Sequence, residues 1–167
     1  MTQAIVLTLG AALLVGAAIQ DLAARTISNS GSVCLALLGV ILRVGDGTFV
    51  IGLIIATALF VIALAFWKFG WLGGGDVKLL AASAMLLPPA TVPGFLMGVS
   101  LSGGVLSLIY LGTRRRISKP HSRKPDGLLA RSIRVETWRL HRGGPLPYAV
   151  AIAFGALNVL FHEGIPR

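Results

Sequence analysis

Long stretches without a single charged residue set the terms for this chain. Thr2 to Gln20, Phe49 to Trp67 and Gly94 to Gly112 are each charge-free and apolar. Shorter runs of the same kind cover Val33 to Leu42, Val77 to Leu87 and the segment from Pro145 or Pro147 to Phe161. A bilayer's hydrocarbon core is about 30 Å thick, and about 20 helical residues cross it. Backbone groups cannot be left unpaired in lipid, so runs of this kind are helices. Composition agrees: 13% of residues are charged and 55% hydrophobic, where a soluble domain has about 25% charged residues. The expectation is an all-α, polytopic membrane protein with about six transmembrane helices, a single domain over residues 1–167.

The breaks between runs support that division. Asp21 to Ser32 is polar, Arg43 to Thr48 reads as a tight turn with glycines supplying backbone freedom, and Lys68 to Asp76 is a glycine-rich connection. Pro88, Pro89 and Pro93 end a helix, because proline lacks the amide donor and clashes with the preceding turn. Thr113 to Gly144 is a long basic loop. A cleaved signal peptide would need Lys or Arg in its first residues; Met1-Thr2-Gln3 has none, so the first run is read as a retained helix. Cys34, the lone cysteine, lies in an apolar run and reads as a small buried hydrophobe. No repeat of 20 to 50 residues is visible.

Charge gives the orientation. Of the 15 Lys and Arg, ten fall between Arg114 and Arg142. With Arg25, Lys68 and Lys78 they lie on the side of the first, third and fifth connections, leaving Arg43 and Arg167 opposite. The positive-inside rule makes the richer side cytoplasmic and both termini external. Trp67 and Trp71 suit that interface. Asp21 then ends an inward-running span and Asp76 begins an outward-running one, so both acids sit at one depth near the cytoplasmic face.

A carboxylate near hydrocarbon is costly, about 2.5–3.5 kcal/mol at a helix centre and less near the interface. As an alternative to function, Asp76 could cap the helix it precedes. Asp21 has no such account, since an acid at a helix C-terminus opposes the dipole. Brought together, two carboxylates in low dielectric share a proton and titrate as a dyad. The ionised member takes a proton from water while the protonated one polarises a peptide carbonyl. Gly73, Gly74 and Gly75 would let an extended substrate backbone approach, with φ > 0 available; a flexible linker is the plainer reading. Lys78 could tune the acids, bind a lipid phosphate, or snorkel to the interface. His121, His141 and His162 lack metal-ligand spacing. Neither metal nor cofactor is expected.

Gly73-Gly74-Gly75-Asp76 matches the GxGD motif of intramembrane aspartyl peptidases. With Asp21 at the end of the first span, the chain closely resembles the type IV prepilin peptidase family, in its short form without the methyltransferase domain. Arg25-Thr26-Ile27-Ser28-Asn29 is similar to the family's R-x-I-P-N stretch, with Ser28 in place of the usual proline. Gly75-Asp76-Val77-Lys78-Leu79 is similar to its GD-x-K-L stretch, and Gly144 to Ala149 resembles the stretch opening its last helix. The resemblance implies a catalytic pair, Asp21 and Asp76, with Gly73, Gly75 and Lys78 supporting or binding substrate. It also implies pilin-like precursors as substrates, cut at the cytoplasmic face of the inner membrane.

The basic loop at about 113–144 reads as a topology determinant that meets anionic lipid head groups. Within it, Leu128 to Leu140 could lie on the interface with Trp138 inserted. Nucleic-acid binding is not expected, because no aromatic residues interleave the charge. A competing function for the same acids is a small proton- or ion-coupled transporter. The absence of repeats and of other polar residues along the helices weighs against it. A membrane scaffold presenting the basic loop is a further, non-enzymatic option.

Overall fold

The computed structural model describes residues 2–116 and 146–163. Six α-helices occur among them: α1 (Thr2–Ala24), α2 (Asn29–Gly45), α3 (Phe49–Lys68), α4 (Gly74–Leu86), α5 (Val92–Arg116) and α6 (Tyr148–Glu163), with a 3-10 turn at Pro89–Thr91. The protein is an all-helical, polytopic membrane protein. Most of the basic loop, with the helix expected at Leu128 to Leu140, lies outside the described residues. The chain divides into two compact units, Met1–Gly103 with Pro147–Arg167, and Gly104–Leu146. Every residue of the site below belongs to the first.

The helices differ in length for a physical reason. Helices α1, α3 and α5 are long and apolar enough to cross a membrane, and their outer faces expose Ile5, Leu9, Ile51, Ile54, Leu101 and Leu108. Helix α4, with 13 residues, is only about 20 Å long at 1.5 Å per residue and cannot span hydrocarbon alone. It is instead enclosed, packing mainly on α2 and α3 and also on α6. Apart from Asp76 and Lys78 it is apolar or small almost all round, as a buried helix is, and Leu79 and Leu86 are fully buried. A Cβ on Gly39 of α2 would meet the Met85 and Leu86 backbone at 2.7 Å, so glycine sets the closeness of that packing. On α5 and α6, Gly98 and Gly155 meet in the same way, the small-residue contact common between membrane helices.

Three expectations change. Helix α1 runs past Gln20, so Asp21 lies within its last turn rather than after it. Helix α4 starts at Gly74, not Val77, taking two of the three glycines out of the connection. Cys34 is exposed on α2 rather than buried; a thiol is apolar enough to sit on such an outer face. At the end of α3, Phe66 and Trp71 stack with ring centroids 5.8 Å apart, and Trp67 and Phe69 are exposed beside them. Such aromatics belong at a membrane–water interface.

Candidate active site

Asp76 is the third residue of α4, not its cap. Gly73 holds the capping position, and its N–H donates to Asp76 Oδ2 at 3.2 Å. The carboxylate therefore sits at the positive end of the helix dipole, yet the residue is only 8% exposed. The glycines earn their place by packing. A Cβ on Gly73 would lie 2.8 Å from Asp76 Oδ2, and one on Gly75 would lie 3.0 Å from Ile27 Cβ. The φ > 0 freedom expected here is not used: Gly73 has φ −75, and among the described residues the left-handed glycines are Gly47 and Gly70.

Asp21 is 6% exposed and reaches a helix start that is not its own. Its Oδ2 accepts from the Ala149 N–H at 3.1 Å. Ala149 is in the first turn of α6, where backbone donors lack intrahelical partners. The dipole of a second helix thus offsets the unfavourable one of α1. Pro147, fully buried, precedes α6 and fixes where it begins. Asp21, Arg25 and Tyr148 all lie within electrostatic reach of Asp76. Two helix N-termini, those of α4 and α6, converge on one pair of acids.

The link between α1 and α2 ties these parts together. Ser28 has extended backbone, φ −63 and ψ 131, just before the helical Asn29. Residues 25, 27 and 29 of this link each act on the start of α4. The Arg25 charge acts on Asp76, Ile27 packs on Gly75, and Lys78 Nζ donates to Asn29 Oδ1 at 2.8 Å. Arg25 itself adopts φ 56, a left-handed conformation uncommon outside glycine. Its N–H still donates to the Asp21 carbonyl at 2.9 Å, ending α1 just after the acid.

The residues singled out from sequence therefore gather at one end of the bundle: Asp21 and Asp76 as a pair, Gly73 and Gly75 beneath them, and Lys78 beside them on an exposed face. Sequence reasoning missed the role of Ala149. Its signal was the Pro147-Tyr148-Ala149 helix start, which was read only as an opening. In the sequence Arg25 and Ile27 are members of a stretch, with nothing to place them against the start of α4. Among the described residues, no three His, Cys, Asp or Glu side chains gather as a metal site would need. His162 is at the end of α6; His121 and His141 lie outside the described residues.

Buried carboxylates of like sign, anchored by backbone donors inside a bundle of apolar helices, define a class: a polytopic membrane protein with an acid pair at one end. The chain belongs to the type IV leader peptidase family, whose model matches residues 8–108. That stretch contains Asp21, the 25–29 link and Asp76, and ends before α6. The family is one of peptidases, so the protein is a membrane protease. No curated protein and no solved structure matches the chain.

Proposed function

We propose that the protein is an intramembrane aspartic endopeptidase that removes the leader peptide from type IV pilin-like precursors, with Asp21 and Asp76 as its catalytic dyad. The observation that carries the reading is the convergence of two buried acids, from α1 and α4, on a spot where the charge of one acts on the other. In this reading the two carboxyls share one proton. The ionised group takes a proton from a water while its partner donates one to the scissile carbonyl, giving a tetrahedral diol. Collapse returns a proton to the leaving amine. The Gly73 and Ala149 N–H groups each hold one carboxyl oxygen, so neither side chain has to be ordered at the moment of reaction.

The end of the bundle that holds the acids also carries Arg25, Lys68 and Lys78. By the positive-inside rule that end faces the cytoplasm and both termini lie outside the inner membrane. A precursor would then be cut at the cytoplasmic face, where its hydrophilic leader meets its apolar helix. The test is co-expression with a pilin-like precursor. The wild-type protein shortens the precursor; Asp21→Asn and Asp76→Asn each leave it at full length. Normal processing by either variant overturns the assignment.

A further inference from the structure

A second feature of the bundle lies away from the acid pair. Helices α2 and α3 both pack on α4 but touch one another only sparingly. Between them an open groove of about 460 Å³ runs along α4 from Lys78 to Met85, lined by Ala36, Leu53, Phe60 and Ala81. Alanines leave this space where larger side chains would fill it. The groove opens onto a lipid-facing side, because Val33, Leu53 and Phe60 on its rim are among the exposed apolar residues of helices α2 and α3.

Its chemistry is uneven along its length. The body is mostly hydrocarbon, with the Thr57 hydroxyl on α3 as an exception, while the end nearest the start of α4 holds Lys78, Asn29 and Ser32. Lys78 is exposed, and its ammonium donates to the neutral Asn29 Oδ1 at 2.8 Å. That ammonium has three donors, and among the described residues no carboxylate neutralises it. An apolar channel with an uncompensated cation at its interfacial end is complementary to an anionic amphiphile. The groove is open along its side, and a single extended hydrocarbon chain can lie in it against the alanines.

We infer that the groove between α2 and α3 binds one acyl chain of an anionic phospholipid, with the headgroup phosphate on Lys78. The site is independent of the peptidase assignment. It makes bound lipid a structural element against α4, the helix that carries Asp76.

The test is native mass spectrometry of the purified full-length protein, released from detergent after incubation with equimolar phosphatidylglycerol and phosphatidylcholine. Wild type is expected to retain phosphatidylglycerol about fivefold over phosphatidylcholine, the factor one lysine near an anionic headgroup is worth. Lys78→Gln should bring the two lipids to parity. Ala81→Leu and, separately, Ala36→Leu fill the groove from α4 and from α2, and either should lose both lipids; two variants guard against one that fails to fold. Parity in the wild type overturns the inference, as does a preference that survives Lys78→Gln. Unchanged lipid retention in the groove variants with cleavage of precursor blocked also overturns it, and assigns the groove to the substrate's apolar helix. Loss of lipid with no cleavage activity in any form of the protein leaves the lipid site standing and removes only the peptidase reading.

Discussion

At one end of the bundle Arg43 is 3% exposed and Asp46 meets its Nη1 at 2.6 Å, three residues along the chain. Thr48 donates to Asp46 from its backbone N–H at 3.0 Å, and Gly52 on α3 leaves room for the Arg43 stem, which a Cβ there would approach to 3.1 Å. At the other end Asp21 and Asp76 are both buried, where Asp46 is exposed, and they carry the same sign and come from helices far apart in sequence. The first arrangement is local and opposite in charge, and it closes a turn. The second is assembled from α1, α4 and α6 and is held by backbone donors rather than by a counter-charge alone. A buried cation met by an opposite charge at the boundary serves the fold, whereas buried charges of like sign raise its energy and need another reason to persist.

The largest expected effect separates the two ends. Asp21→Asn or Asp76→Asn should lower precursor cleavage by about 10²–10⁴-fold, the usual worth of a positioned acid or base. Neither should lower thermal stability in detergent, because removing one like charge relieves repulsion. A variant that loses activity only by unfolding would erase the distinction between the ends.

The opposite pattern is expected of Asp46→Ala. It leaves Arg43 buried without its partner, and its stability should fall by about 1–3 kcal/mol, below the usual cost for a fully buried pair because Asp46 is partly exposed. Cleavage by the folded fraction should be unchanged. Acid should probe the same pair. Burial pushes the Asp46 carboxyl up, but its hydrogen bonds with Thr48 and the Arg43 charge outweigh this and leave it below the ordinary carboxylate value. A carboxyl depressed in the folded state contributes stability above its unfolded value and loses it as pH falls through the folded one. Wild type should therefore lose this increment on acidification below the normal carboxylate range, and Asp46→Ala should show no such loss. Thermal unfolding across a pH series measures both.

Much of the acid end could be read from sequence, because its parts leave local marks: charge-free runs, a glycine cluster before an acid, and the Arg25 to Asn29 stretch that resembles the family's. What could not be read is the partner of Asp21. The Ala149 N–H is a backbone donor, 128 positions away, and no side-chain pattern announces a backbone group. The limits of α4 were missed because glycines are poor helix formers. Here packing overrides propensity: Gly75 lies against Ile27, and a Cβ on Gly74 would meet Trp67 Nε1 at 3.4 Å. The Arg43 pair escaped notice for the opposite reason. Its spacing fits any surface turn, and nothing in the turn itself shows that Arg43 lies buried beside Gly52 of the facing helix.

Paired glycine substitutions test the same contrast at a smaller scale. Gly75→Ala puts a methyl 3.0 Å from Ile27 Cβ, and Gly52→Ala puts one 3.1 Å from Arg43 Cγ. The first presses on a branched carbon of the 25–29 link and should lower cleavage by about tenfold, with Ile27→Ala partly restoring it in the double variant. The second presses on a flexible stem and should cost about 1 kcal/mol of stability or less, with cleavage unchanged. A double-mutant cycle at 75 and 27 measures the coupling, expected at about 0.5–3 kcal/mol for residues in contact.

The smallest effect is expected at Ser28, where the sequence departs from the family's proline. The turns at the two ends differ in backbone. Gly47, beside Arg43, has φ +74, which proline cannot adopt, whereas Ser28 has φ −63 and ψ 131, within the range a pyrrolidine ring imposes. Ser28→Pro should gain about 0.4–1 kcal/mol by restricting the unfolded chain. Against this, it removes the Ser28 N–H donated to Gln20 Oε1 at 3.3 Å and the hydroxyl contact with Ser30 at 2.6 Å, both exposed. Exposed hydrogen bonds of this kind are worth about 0.5–1.5 kcal/mol at most, so the two effects nearly cancel. Stability should move by less than about 1 kcal/mol, and cleavage should stay within about twofold, because the ring keeps 25, 27 and 29 facing α4. A tenfold loss of cleavage at unchanged stability would show that Ser28 and Gln20 act at the site themselves, and that the extended link does more than hold its alternate residues in place.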